Sequence, residues 1–312
     1  MLSPAITLKQ LRTLLIVAEQ HSLTAAASRM NQTTPSIHAQ IRKLESLVGR
    51  DLLYRDAAGG GFRLTPTGEA MARATRRIEA NLSRAADDLR AITAGFQGHV
   101  RLSAVSTAQY FAPVLVRMLG DTLPEIEVGL HVGNREDVIA ELDHGRADLA
   151  VMGRPPRAPL TRSEPLGPHP HGILLPPGHR LAGQDGFDAM ELLEETFLVR
   201  EAGSGTRALM MRYLDRLSEG ASPPMIAFSR NETIKQAVIA GLGIAFLSLH
   251  TARDELISGR LVRLRGPGLP VMRQWYLVRP AGSEPTVASD QVARAITSFA
   301  GTYLPDLDDL DR

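Results

Sequence analysis

Apolar residues recur at helical spacing from the start of this chain. Leu11, Leu14, Leu15 and Ala18 mark one helix face, and Thr7 with Gln10 three residues on has the spacing of a capping box. A second helical run starts at Leu23, with Ala26, Ala27 and Met30 on one side. The turn Met30-Asn31-Gln32-Thr33 leads to a third helix with Thr34 as N-cap, Pro35 as first helical residue and Gly49 as its end. Ile37, Ile41, Leu44 and Val48 form its predicted buried face. Two helices joined by a tight turn, the second small at its tip and basic along its length, read as a helix-turn-helix.

The period then changes. Leu52–Arg55 and Phe62–Leu64 bracket Ala57-Ala58-Gly59-Gly60-Gly61, which predicts a β-hairpin wing with a glycine tip. A phosphate loop would need a following Gly-Lys-Ser/Thr, which is absent. Thr65 and Pro66 open a long helix whose stripe of Met71, Thr75, Ile78, Leu82, Ala85, Leu89 and Ile92 alternates by four and three. So narrow a stripe needs a partner: a second copy of the helix or the chain's own domains. Gly95 and Gly98 close it.

From Val100 the pattern is short apolar strands alternating with helices: Val100–Val105, Val128–Val132 and Leu149–Met152, a βαβαβ unit with a parallel sheet. Gly153-Arg154-Pro155-Pro156 starts a crossing segment. A second set follows at 173–175, 197–199, 226–228 and 244–247, and Gly266–Pro270 returns the chain so that Trp275–Val278 rejoins the first sheet. The fold class is therefore an N-terminal winged helix-turn-helix (mostly α), a long linker helix, and an α/β two-lobed, periplasmic-binding-protein-like domain. The boundaries read 1–66, 67–97 and 98–312, with lobe 1 at 98–162 and 268–312 and lobe 2 at 163–267.

Composition sharpens this picture in two places. The net charge of +1 over 312 residues hides a basic N-terminal third of about +5 against about −4 for the rest. The basic end is the helix-turn-helix end, the footprint of a phosphate-binding module. The acidic C-terminus, with Asp306, Asp308, Asp309 and Asp311, reads as a solvated tail. Cysteine is absent, which removes disulfides and thiolate metal sites and fits a reducing cytoplasm. No signal peptide or membrane-length apolar run is present, so the expectation is a cytoplasmic chain without a membrane partner.

A cleft between two such lobes takes a small ligand at the carboxyl ends of the strands. Ser106 and Thr107 sit where a strand meets a helix N-terminus, and Arg200, Ser204, Gly205, Thr206 and Arg207 do the same in the second lobe. Asn134, Arg135, Arg154, Asn231, Glu232 and Lys235 also lie at strand ends. Each alone could be a local cap or an interlobe ion pair; their convergence points to an anionic ligand, which arginine forks bind bidentately.

The first sixty-odd residues resemble the LysR-type transcriptional regulators. The match runs through Ala18-Glu19, Ser22–Ala27, Pro35, Gln40-Ile41, Leu44-Glu45, Gly49, Leu52-Leu53, Arg55 and Leu64–Gly68. A narrower resemblance, to the regulators of the RuBisCO (Calvin-cycle) operon, is carried by 106–113, 132–135, 148–156, 197–207 and 231–244. It implies phosphorylated metabolites or nucleotides such as NADPH as effectors, with no bound cofactor. The family resemblance implies double-stranded promoter DNA as partner, self-association as dimer or tetramer through the linker helix and effector domains, and contact with RNA polymerase. It places Thr33, Thr34, Pro35, Ser36, His38 and Ala39 at the DNA-reading start of the third helix, and Arg42, Lys43, Arg55 and Arg63 on phosphates. The chain departs from the family where Thr34 replaces Gln, His38 replaces Ser and Ala39 replaces a basic residue.

Two other classes compete. An enzyme finds little support: Gly203-Ser204-Gly205-Thr206 lacks the full nucleophile elbow, and no triad stands out. His169-Pro170-His171 could suggest a metal, but reads better as a Pro-rich connector with exposed histidines. A plain cytoplasmic solute-binding protein shares the two-lobed half, and the helix-turn-helix argues against it. A regulator of the same family sensing a different carboxylate is the remaining alternative.

Overall fold

The computed structural model describes residues 5–56, 61–218, 221–282 and 284–307. The chain divides into two compact units, Met1–Ala86 and Asp87–Arg312. No helix among the described residues is long and apolar enough to cross a membrane.

In the first unit, α1 (Leu8–Gln20), α2 (Leu23–Arg29) and α3 (Thr34–Val48) close around Leu14, Val17, Ala26, Ile37 and Leu44. Thr7 and Gln10 form the predicted capping box. The cap of α3 is one residue earlier than the sequence pattern indicates. Thr33 holds the extended conformation and its Oγ1 accepts the Ser36 N–H at 3.4 Å, so Thr34 is already helical. Pro35 then takes the second helical position, where its missing N–H is still among the donors that no helix carbonyl reaches.

Burial on α3 extends to Glu45, while Val48 is half exposed. The Glu45 carboxylate accepts the N–H groups of Leu52 at 3.0 Å and Leu53 at 3.3 Å. It thereby fixes the chain as it enters the wing, β1 (Leu53–Arg55) paired antiparallel with β2 (Phe62–Leu64). Residues 57–60 of the predicted tip lie outside the described residues, as do Asp308, Asp309 and Asp311 of the tail. At Gly61, φ is +86° and a Cβ would sit 2.1 Å from the His21 carbonyl oxygen. The Phe62 N–H donates to that same oxygen at 2.8 Å, so only glycine lets the wing reach the α1–α2 turn.

Helix α4 spans Pro66–Thr93. Met71 and Thr75 of its stripe are buried, but Ile78, Leu82, Leu89 and Ile92 are 40–66% exposed. Gly98 does not end the helix; it is the first residue of the next strand.

In the second unit the chain order is β3 (Gly98–Val105), α5 (Ala112–Thr122), β4 (Ile126–Gly133), α6 (Arg135–Asp143) and β5 (Leu149–Met152). Then come β6 (Thr161–Leu175), α7 (Ala189–Leu193), β7 (Phe197–Arg200), α8 (Gly205–Ser218), β8 (Met225–Phe228) and α9 (Asn231–Ile239). The unit finishes with β9 (Ala245–Ser248), α10 (Arg253–Ile257), β10 (Val262–Arg263), β11 (Val271–Pro280) and α11 (Val287–Ser298). β3 is parallel to both β4 and β5, as the βαβαβ pattern predicts.

The crossovers differ from the sequence expectation. The connection is the 15-residue strand β6 itself, antiparallel to β11 from Thr161↔Pro280 to His171↔Val271. Its first part lies beside β11 in lobe 1; residues 171–175 pair with β9 and β10 in lobe 2. The boundary at 162/163 thus falls inside a strand. Alternation alone could not show this, because Pro165, Gly167, Pro168 and Pro170 break the β-pattern of a segment that nonetheless pairs.

Trp275 is completely buried in β11, with the Phe111 ring edge-on at 5.0 Å and its indole N–H donating to His250 Nδ1 at 3.1 Å. Trp275→Ala is expected to cost about 3–5 kcal/mol, from the cavity and the orphaned histidine together. Urea unfolding of the full chain checks this; a loss below about 1 kcal/mol would show that the site collapses without consequence.

Candidate functional site

The exposed edge of α3 presents Thr33, Pro35, His38, Ala39, Arg42 and Lys43, with Thr34 and Ser36 half-buried. A polar network behind this edge sets its angle. Gln40 Nε2 donates to Gln32 Oε1 at 2.7 Å, the Ser36 hydroxyl to the same oxygen at 3.2 Å, and Thr13 Oγ1 to Gln40 Oε1 at 2.8 Å. Ser36 is therefore engaged with its own turn, and Gln32 and Gln40 are positioning residues that sequence reasoning passed over. On the wing, Arg63 pairs with Asp56 at 2.7 Å and the Arg55 guanidinium lies 5.9 Å from the Phe62 ring centre. Arg42 makes a 3.6 Å contact with Glu45 but is two-thirds exposed.

The second unit holds a cleft of about 630 Å³ between its lobes. Ser106, Thr107, Asn134, Arg135 and Arg154 line it from lobe 1; Arg200, Ser204, Gly205 and Thr206 line it from lobe 2. Ser106–Tyr110 is a single 3-10 turn after β3, and Gly205 starts α8, so two sets of N–H groups face one space. Arg200 reaches across: it donates to Ser106 Oγ at 3.1 Å, to Asn231 Oδ1 at 2.6 Å, and pairs with Glu201 at 2.7 Å. Arg135 donates to the Arg154 and Pro155 carbonyls. Burial first, then the charges of Arg154 and Arg212, push its guanidinium pKa down.

Four of the sequence candidates do not line the cleft: Arg207, Asn231, Glu232 and Lys235. Arg207 donates to the Arg200 carbonyl at 3.2 Å, and Asn231 supports the Arg200 side chain. Lys235 is buried between Glu232 and Glu255, at 2.9 Å from each, and lies 4.8 Å from the Tyr110 ring centre. Tyr110 O–H donates to Glu232, which makes this knot a tie between the lobes. Arg207 lies on α8 and Asn231, Glu232 and Lys235 on α9, so proximity to a strand end did not tell which helix face each side chain takes.

The histidines of His169-Pro170-His171 are not exposed: each is 3% accessible, inside β6. His169 stacks on Trp275 with ring centres 3.7 Å apart and bonds Ser248 Oγ at 3.0 Å; His171 Nδ1–H donates to the His169 carbonyl at 3.1 Å. Both line the cleft floor.

The family model described as "Bacterial regulatory helix-turn-helix protein, lysR family" matches residues 8–69, and "LysR substrate binding domain" matches 93–300. The chain belongs to the LysR family of transcriptional regulators. Among curated relatives, the HTH-type transcriptional regulator CbbR of Cereibacter sphaeroides is 52% identical over 301 residues, 96% of this chain and 97% of that one. The RuBisCO operon transcriptional regulator of Allochromatium vinosum is 36% identical over 295 residues, covering 95% and 97%. A solved structure, the regulatory domain of CcmR from Synechocystis PCC6803 in complex with 2-PG, superposes with a TM-score of 0.62 at 30% identity, over 66% of this chain and 99% of that one. These relatives are regulators, and this LysR-family chain is a DNA-binding regulator, not an enzyme.

Beyond the sequence candidates, the cleft between the lobes also takes in His169, His171, Arg212, Arg216 and Arg273. A signal for two of them was available: Gly205, Leu209, Arg212 and Arg216 share one helical stripe. The histidines carried no such signal, since their burial comes from strand pairing.

Burial holds all three histidines around Trp275 neutral, His171 at about 3, His250 at about 4 and His169 well below 6.5. A base whose folded pKa is depressed stabilises the fold fully above its unfolded pKa, about 6.5, and loses that contribution as pH falls toward the folded value. Stability is expected to drop on acidification below about pH 6.5, by up to about 1.4 kcal/mol per pH unit for each histidine. Urea midpoints compared at neutral and mildly acidic pH read this out, and His171→Gln is expected to flatten the slope. An unchanged slope would remove His171 from the account.

Proposed function

We propose that this LysR-family regulator controls a RuBisCO (Calvin-cycle) operon, binding its promoter through α3 and the wing while a small anionic metabolite in the cleft tunes DNA bending. The observation that carries the effector half is a cleft in which Ser106, Thr107 and the start of α8 face one another among arginines. Support for the target and for an anionic ligand comes from the names of relatives and from the 2-PG in CcmR. NADPH is tested beside it as an alternative anionic effector.

In this reading His38 and Thr34 meet base edges while Arg42, Lys43 and Arg55 neutralise phosphates; Arg63 must first release Asp56. Ser36 acts through the Gln32–Gln40 network. The exposed Ile78, Leu82, Leu89 and Ile92 stripe pairs with a second copy, giving a dimer and, with the effector domains, a tetramer. The chain works in the cytoplasm on promoter DNA, with RNA polymerase as the downstream partner.

Arg42→Ala is expected to weaken all DNA uniformly and to lower the salt slope by about 1, whereas His38→Ala changes preference among operator variants. Gel shifts with a variant operator panel at two salt concentrations check both; an unchanged preference in His38→Ala would sink base reading by that residue.

Thermal shift of the full chain with inorganic phosphate, 2-PG and NADPH tests the cleft. The expected result is stabilisation that rises with the logarithm of ligand concentration and is abolished by Thr107→Ala. Stabilisation by none of the three, or by all three equally in Thr107→Ala, would overturn the reading.

A further inference from the structure

We propose that Arg12 is a positioning residue for DNA recognition. Its ion pair with Glu79 fixes the angle between the helix-turn-helix module and α4, and so sets the half-site spacing that a pair of chains accepts. This rests on the readings that α3 meets DNA and that the exposed α4 stripe pairs with a second copy.

The first turn of α4 is a pivot. Gly68 lies so close to the wing entry that a Cβ there would sit 2.0 Å from the Leu52 carbonyl oxygen. Met71, three residues on, is the α4 member of the module's apolar core among the described residues. Contacts gathered at one end of a rod leave it free to swing. Glu79 lies eight residues beyond Met71, about 12 Å along the axis. There Arg12 Nε donates to Glu79 Oε1 at 2.8 Å, and Arg12 Nη2 donates to Glu79 Oε2 at 3.1 Å. A planar guanidinium held by two bonds fixes direction as well as distance. The pair is largely in solvent, so it contributes little to stability, and its effect is on orientation.

The next residue ties the same helix to α3. Thr13 Oγ1 donates to Gln40 Oε1 at 2.8 Å, and Gln40 Nε2 donates in turn to Gln32 Oε1 at 2.7 Å. Arg12 and Thr13 make α1 a bracket, with one arm on α4 and the other on the helix presented to DNA. An angle fixed at Glu79 is thereby passed to α3. Leverage makes small angles matter. The exposed stripe from Ile78 to Ile92 is centred on Ala85, about 21 Å from Met71. A swing of about 10° at the pivot moves one module by about 4 Å against the stripe, and two modules by about 7 Å. At about 3.4 Å per base pair, that is a change of about two base pairs between half-sites.

The test is fluorescence anisotropy of the full chain on duplexes built from the best-bound half-site of the operator panel. One duplex holds a single half-site; the others hold two, with their centres stepped apart one base pair at a time. The wild type is expected to lose at least about tenfold in affinity when its best spacing is changed by two base pairs. Arg12→Ala is expected to cut that loss below about threefold, with single-half-site affinity and urea midpoint unchanged. The double variant Arg12→Glu, Glu79→Arg rebuilds the pair in reverse and is expected to restore the spacing preference. A full spacing loss in Arg12→Ala, or a reversed pair that leaves the preference lost, would overturn the proposal. So would an equal fall in affinity for every duplex with a lower salt slope, which marks Arg12 as a phosphate contact. A wild type that binds paired half-sites at every spacing equally overturns the proposal and leaves the DNA and pairing readings standing. If the wild type binds no duplex, or sediments as a monomer, the reading beneath falls and takes the proposal with it.

Discussion

The cleft depends on one strand pair. β6 and β11 run antiparallel over some ten residues, and each serves both lobes, so the lobes share a sheet spine. Backbone hydrogen bonds along such a ladder are cooperative and leave few soft degrees of freedom. Trp275 sits at the register irregularity between Trp275 and Tyr276, where the local twist is greatest, and its ring is packed by Phe111 on one side and His169 on the other. The floor of the cleft and the link between the lobes share His169 and His171 of β6.

On that spine, two kinds of polar contact join the lobes. Arg200 reaches Ser106, and Tyr110 reaches the Glu232–Lys235–Glu255 knot. Arg200 is balanced by Glu201, whereas Lys235 faces two carboxylates, Glu232 and Glu255, and Asn231 Nδ2 and Glu255 Oε2 have no hydrogen-bond partner among the described residues. The arginines around the rest of the cleft are the opposite case. Arg154, Arg212, Arg216 and Arg273 are solvent-exposed and make no ion pair with any described residue, so water screens their charge.

The three histidines give the same floor a dependence on protonation. His250 Nδ1 must stay unprotonated to accept the Trp275 N–H, and His171 Nδ1 must keep its proton to donate to the His169 carbonyl. Neutral imidazoles satisfy both demands without placing charge in a buried layer. Charging them would add cations beside an already cationic cleft.

Local chemistry made much of the first unit legible. The Thr7–Gln10 capping box, Ser22 as cap and the 37/41/44 face of α3 follow from nearest-neighbour rules, which act within one or two turns. The α3 cap moved by one residue because Thr33 and Thr34 are chemically equivalent candidates, and backbone conformation chose between them. The parallel β3–β4–β5 arrangement was legible too, since βαβ alternation leaves little freedom. The β6 crossover, the burial of His169 and His171, and the engagement of Ser36 were not. The first two are decided by a partner distant in sequence, β11. Ser36 is held by Gln32 and Gln40, four residues away on either side, through polar side-chain contacts that no hydrophobic period signals. The sequence by itself determined most of the elements and their order. Only the tertiary structure decided which of these residues share a cavity, because Arg207, Asn231, Glu232 and Lys235 sit on helices whose packing gives them other partners: the Arg200 carbonyl, the Arg200 side chain, and the Glu232–Lys235–Glu255 knot.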